Sequence, residues 1–150
     1  KQTSKKSIGK TKSILKSIGL KPILLKKEID GFVFNRLQGA LLKEAYSLIN
    51  DNVANASDID SIMTLGLGLR WSVLGPFETI DLNTQGGIEN HSQKMVPFYK
   101  KMFEKRTSNF EQRSVQKVIS ERRKLLPLEK IDAKISWRDK KLFKLLNLLK

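Results

Sequence analysis

Cysteine is absent from this chain, and histidine occurs once, at His91. Those gaps exclude disulfides, thiolate metal sites, a cysteine nucleophile and a histidine-rich metal centre, so no metal is expected. No apolar run approaches the roughly 20 residues that span a bilayer, and no secretory leader is visible, so no membrane partner is expected. The absence of cysteine fits a reducing cytoplasm. The first residue is Lys1 rather than Met, so the native start is expected upstream.

What is present is one domain's worth of chain, 150 residues with 39% apolar content, enough to build a core rather than stay disordered. The net charge of +14 is unevenly placed. Residues 1–30 carry nine basic and two acidic side chains, residues 31–98 four and seven, and residues 99–150 sixteen and six. Basic flanks suit nucleic acid, anionic lipid or a phosphorylated ligand. They equally describe a lysine-rich solvated surface. No aromatic residue lies between Lys1 and Lys27 to stack on a base, which argues against nucleic acid.

Apolar spacing predicts mainly helix. Ser4 to Ile18 puts Ile8, Leu15 and Ile18 on one face, with Gly19 as the stop. Residues 21–27, opened by Pro22, read as a short strand. A strand needs a partner for its backbone groups, and none is evident downstream. A helix and an orphan strand are what the tail of an α/β domain would leave. Gly31 to Asn52 is the strongest helical stretch, apolar on more than one face and therefore expected to be central and buried. Ser57-Asp58-Ile59-Asp60 has the form of a capping box opening a short helix to about Leu65. Gly66 to Gly75 reads as a loop, Pro76 as a helix first turn, and Gly86-Gly87 as a break. Further helices are expected at Ile88–Phe103, with a kink or break near Pro97, at Asn109–Leu125, and from Leu128 through Ile131, Ile135, Leu142 and Leu145 to Leu149.

Few residues carry chemistry on their own. Gly66-Leu67-Gly68 fails as a dinucleotide fingerprint, because Trp71 occupies the third glycine position and the segment follows a helix rather than a strand. Asn35 and Arg36 open the most apolar helix, where a buried amide and guanidinium need partners. Arg70, beside Trp71, suits a carboxylate or phosphate through two parallel hydrogen bonds, although an exposed loop arginine would look the same. His91 stands on a polar stretch without an obvious Asp or Ser partner, as a surface histidine does. Trp137 and Arg138 read as packing and salt bridging.

Taken in order, these pieces resemble a known family. Gly31-Phe32-Val33-Phe34-Asn35-Arg36 is similar to the "G-F-x-x-N-R" motif of 3-hydroxyacyl-CoA dehydrogenases. Glu44-Ala45, Ser57 to Met63, Gly66-x-Gly68, and Gly75-Pro76-Phe77-Glu78 with Asp81 follow at the family's spacing. Leu67-Gly68-Leu69-Arg70-Trp71, Leu82-Asn83 and Trp137-Arg138-Asp139 resemble the L-gulonate 3-dehydrogenase and lambda-crystallin branch.

The resemblance implies a mainly α fold, a helical bundle like the C-terminal domain of 6-phosphogluconate dehydrogenase. Residues 30–150 would form the substrate-binding and dimerisation domain. Residues 1–29 would be the last helix and strand of a nucleotide-binding Rossmann domain. It implies oxidation of a 3-hydroxy group to a ketone with NAD as cofactor, held mainly by that first domain, which also supplies a His–Glu pair. Asn35 would hold the reacting oxygen, and Arg70 and Trp71 would bind substrate, either an acyl-CoA of fatty acid metabolism or a free 3-hydroxy acid. The acyl-CoA branch usually carries small or apolar residues at the position of Arg70; an arginine there would suit a free carboxylate, with hydroxyacyl-CoA, gulonate-like and carnitine-like acids all open. The implied partners are a Rossmann domain and a second copy in a homodimer. Lacking the glycine fingerprint and the His–Glu pair, the chain alone is expected to be inactive. The competing reading is a stand-alone helical interaction module without catalysis.

Overall fold

In a computed structural model, residues 3–104 and 110–148 are described; all of their regular secondary structure is helical. The chain groups into two units, Lys1–Leu37 and Gln38–Lys150.

In the first unit, α1 (Lys5–Ser17) starts where expected. The Ser4 hydroxyl accepts the Ser7 N–H at 3.1 Å, satisfying one donor that the first turn leaves open. It stops at Gly19, whose φ of +80° reverses the chain. The N–H of Leu20 then closes on the Leu15 carbonyl and that of Gly19 on the Lys16 carbonyl, both at 3.0 Å. The strand expected at residues 21–27 does not form: among the described residues no strand exists to supply its ladder bonds. Pro22, Ile23 and Leu24 instead line an open cleft with Ile8, Thr11 and Leu15 of α1.

Helix α2 (Phe32–Asn50) is entered through a contorted turn, with Gly31 at φ +76° and Phe32 at φ +50°. The helix is not buried on most sides. Phe34 is 76% exposed and Val33 and Leu37 are also exposed, whereas Ile49 near the other end is 3% exposed. An all-round apolar sequence marks surface that can be covered, but only the last turns find cover among the described residues.

In the second unit, α3 (Ala56–Ile62) is capped by Asn55 rather than Ser57. The Asn55 Oδ1 accepts the Asp58 N–H at 2.9 Å. Asparagine is at least as good a cap as serine, so the start moves two residues upstream. Residues 66–71 are helical too, not a loop. A π-helical turn (Met63–Leu67) leads into the short α4 (Gly68–Trp71), and the Gly68 N–H reaches back to the Met63 carbonyl. A Cβ on Gly68 would lie 2.6 Å from that carbonyl oxygen, so glycine permits the wide turn rather than breaking the helix.

Helix α5 (Pro76–Leu82) has Pro76 in its first turn as expected, and it packs on α6 (Gly87–Glu104). Between them Gly86 and Gly87 take φ of +83° and +67°. That turn lets the Asp81 carboxylate accept the Ile88 N–H at 2.7 Å, placing a negative charge at the start of α6. Pro97 lies inside α6 without ending it.

Helix α7 (Gln112–Leu125) joins the end of α2 to the start of α3. Lys117 donates to Asn52 Oδ1 at 2.7 Å and reaches the Ile49 carbonyl at 3.5 Å. One turn later Glu121 accepts the Ala56 N–H at 2.8 Å, and Arg122 pairs with Asp60 at 3.1 Å. Tyr46 meets Phe110 edge to face, with ring centroids 5.6 Å apart. The expected first residue of this helix, Asn109, lies outside the described residues. A 3-10 turn (Leu128–Lys130) follows Pro127 and opens α8 (Ile131–Leu148), none of whose residues is buried. Leu149 also lies outside the described residues.

Two stability predictions follow from these joints. Glu121→Ala strands the Ala56 N–H and is expected to cost about 1–2 kcal/mol, read as a lower urea midpoint. In Gly87→Ala the new Cβ would sit 2.7 Å from Asp81 Oδ1 on a left-handed backbone. It should cost about 1–3 kcal/mol in the same experiment, with Gly66→Ala, where a Cβ meets open space, as the mild control.

Candidate functional site

Asn35 sits in the first turn of α2, directly after the Gly31–Phe32 turn, and its side chain is exposed, as is that of Arg36. The expected buried pair is therefore an exposed one, and its polar groups can be satisfied by water. Among the described residues the Asn35 amide makes no hydrogen bond, so both of its functions, a carbonyl acceptor and an NH2 donor, remain for a ligand. Gly31 fixes the entry. A Cβ there would only touch Arg36 Cγ at 3.7 Å and Asn35 Cβ at 3.8 Å, so its φ of +76°, rather than crowding, calls for glycine.

Arg70 and Trp71 close α4 on consecutive positions and are both exposed. The backbone around them is tied down. The Arg70 carbonyl accepts from Val73 at 3.1 Å and Leu74 at 3.0 Å, and Ser72 Oγ donates to the Leu69 carbonyl at 2.6 Å. The next helix starts at once: Thr79 is buried and returns its hydroxyl to the Gly75 carbonyl at 2.8 Å. The Arg70 guanidinium has no ion pair among the described residues, a planar donor fork on a tied-down backbone. Asn35 belongs to the first unit, and Arg70 and Trp71 to the second.

The remaining candidates have structural work. His91 is half-buried, its ring 6.2 Å from that of Tyr99. Arg138 pairs with Asp139 at 2.8 Å, and Lys134 lies 3.6 Å over the Trp137 ring. Gly66-Leu67-Gly68 is wound into the π-turn and α4. Its amides are therefore spent inside a helical run and do not form a phosphate cradle, so these residues do not fit a dinucleotide. Among the described residues no group of three His, Asp or Glu side chains stands ready for a metal, and no helix is long and apolar enough to cross a membrane.

One feature was not visible in the sequence. An open apolar cleft of about 230 Å³ runs between α2, α3 and α7, with Tyr46, Ile49, Ile59 and Val118 on its walls and the Asp60–Arg122 pair at its edge. Its residues come from three separate helices, and only the tertiary packing of α7 assembles them.

Comparison with known proteins fits this geometry. Residues 31–125 match the family model of the 3-hydroxyacyl-CoA dehydrogenase, C-terminal domain. Rabbit (Oryctolagus cuniculus) lambda-crystallin is 35% identical over 98% of this chain and 47% of its own length. A 3-hydroxyacyl-CoA dehydrogenase of Gibberella moniliformis is 46% identical over 62% of this chain and 29% of its own. An L-carnitine dehydrogenase of Oceanobacillus iheyensis is 41% identical over 53% of this chain and 26% of its own. Among solved structures, 5-formyl-3-hydroxy-2-methylpyridine 4-carboxylic acid 5-dehydrogenase, an NAD+-dependent dismutase, superposes with a TM-score of 0.55 at 25% identity, covering 86% of this chain and 48% of its own. The chain thus spans about half the length, or less, of the relatives it matches. It belongs to the 3-hydroxyacyl-CoA dehydrogenase family and carries that family's C-terminal helical domain.

Proposed function

We propose that this chain is the substrate-side half of an NAD-dependent 3-hydroxyacid dehydrogenase, oxidising a 3-hydroxy group to a ketone. The observation that carries the reading is the family's C-terminal domain over residues 31–125, which includes Asn35, Arg70 and Trp71. The cofactor belongs to the nucleotide-binding half of the family's proteins, since this chain's only Gly-x-Gly is wound into a helix. The chemistry left to this chain concerns the substrate. Oxidation of an alcohol needs a donor that steadies the oxygen as its charge develops, and an exposed, unengaged amide such as Asn35 suits that part. On this reading residues 1–29 extend a Rossmann domain and residues 30–150 bind substrate. The chain alone is inactive; together with the nucleotide-binding half it works as a homodimer in the cytoplasm.

A free carboxylate on the substrate is favoured over a CoA thioester. Arg70 offers an unpaired guanidinium and Trp71, the next residue, an exposed apolar ring, groups suited to a small acid. One relative is named for L-carnitine and the structural relative for a pyridine 4-carboxylic acid, both of which carry a carboxylate.

Two substitutions test this, in the chain joined to the part of the similar NAD+-dependent dismutase that it does not cover. Asn35→Ala is expected to lower kcat by about 100-fold with a smaller rise in KM, as for loss of one oxyanion donor. Near-normal turnover would remove Asn35 from the mechanism. Arg70→Leu is expected to raise KM for free 3-hydroxy acids by about 10-fold or more and to leave 3-hydroxyacyl-CoA nearly unaffected. Equal losses on both would exclude Arg70 as the carboxylate clamp.

A further inference from the structure

Asp30-Gly31 is the chain's one Asp-Gly step, and there is no Asn-Gly. Glycine after aspartate leaves no Cβ to crowd the approach of the following amide nitrogen to the side-chain carboxyl carbon. Neither group is engaged elsewhere among the described residues. Both residues are exposed. Among the described residues Asp30 enters no ion pair or side-chain hydrogen bond, and the Gly31 N–H has no acceptor; the bond that closes the turn runs from the Phe32 N–H to the Ile29 carbonyl at 3.0 Å. Phe32, a non-glycine residue at φ +50°, also gives the turn backbone strain.

Several other Asp and Asn side chains supply an internal contrast, because their polar atoms are engaged; Asn35 is unengaged but lies inside α2 and precedes Arg36. Asn52 holds Lys117, Asn55 caps α3 and Asp60 pairs with Arg122. Asp81 caps α6 and Asn90 bonds the Gln85 carbonyl at 2.9 Å. Asp58 and Asp132 lie inside helices, where the next residue is Ile59 or Ala133 and the backbone is held.

We propose that Asp30 is a site of spontaneous backbone isomerisation, converting to isoaspartate through a succinimide with Gly31 and thereby a substrate for isoaspartyl methylation. The Gly31 nitrogen attacks the protonated Asp30 carboxyl carbon. A C–N bond forms, the carboxyl C–O bond breaks, and the hydroxyl leaves with the amide proton as water. Water then opens the ring at either carbonyl. One route restores Asp30; the other leaves the chain running through the β-carbon, one backbone atom longer. No oxidant or cofactor takes part. The added atom falls immediately before α2 and remodels the turn that leads to Asn35.

The test is prolonged incubation of the purified chain at neutral pH and physiological temperature, followed by trypsin, which releases Glu28–Arg36. The expected result is a second peptide of identical mass that grows with time, at a rate comparable to the free synthetic peptide. It resists cleavage by endoproteinase Asp-N at Asp30 and accepts a methyl group from a protein isoaspartyl methyltransferase. Asp30→Glu, which keeps charge and lengthens the reacting ring, should abolish it. A single Glu28–Arg36 species, under conditions in which the free peptide isomerises, would overturn the proposal. So would methylation concentrated at another Asp or Asn.

Discussion

The second unit depends on one clasp, the side of α7 that carries Lys117 and Glu121. These residues are four apart and therefore share a helix face. They meet opposite needs: a cation on the carbonyl end of α2 and a carboxylate on the amide end of α3. The bend between α2 and α3, with Asn52 at φ +57°, leaves backbone groups that neither helix can satisfy alone. Because α7 fills both, it fixes the angle of the bend. The same docking closes Tyr46 against Phe110 and brings Val118 opposite Ile49 and Ile59, which creates the apolar cleft.

The candidate residues are placed locally, each within its own unit. Arg70 and Trp71 are held by a chain of local bonds: the π-turn at Gly68, the carbonyl of Arg70 and the immediate start of α5. Asn35 is placed by the turn at Gly31. In both places glycine does specific work, in one by accepting a left-handed φ and in the other by letting a carbonyl come close. Both glycines fall within the motifs that relate this chain to the dehydrogenases, which ties those motifs to backbone geometry as much as to chemistry.

Much of the helical layout was legible in the sequence, because the signals were local. Ser4 and Gly19 bracket α1, Pro76 opens α5, and Gly86-Gly87 separates α5 from α6, each by a mechanism confined to a few residues. Failures came where the outcome depends on something outside the segment. Residues 21–27 have strand-like composition but no neighbouring strand among the described residues. Residues 66–71 look like a loop by glycine content, yet the π-turn uses Gly68 to continue the helix. Asn55 outcompetes Ser57 as a cap, and an apolar pattern on α2 could not reveal that Phe34 and Leu37 stay exposed. For the site, residue chemistry alone left Asn35 and Arg70 ambiguous, and the family resemblance singled them out. The structure adds that both are exposed and unpaired, and the clasp of Lys117, Glu121 and Arg122 was not foreseen because its partners lie more than 60 residues away.

The proposed division, with the substrate side in this chain and the cofactor side elsewhere, is tested most directly by mixing the purified chain with the separately produced remainder of the similar NAD+-dependent dismutase, the part this chain does not cover, and following NADH formation with a 3-hydroxy acid. The expected result is no activity and no NAD binding for the chain alone, and activity that saturates as the chain is titrated into the other part. NAD binding by the isolated chain, or a folded mixture that associates yet stays inactive on every 3-hydroxy acid and 3-hydroxyacyl-CoA offered, would contradict it.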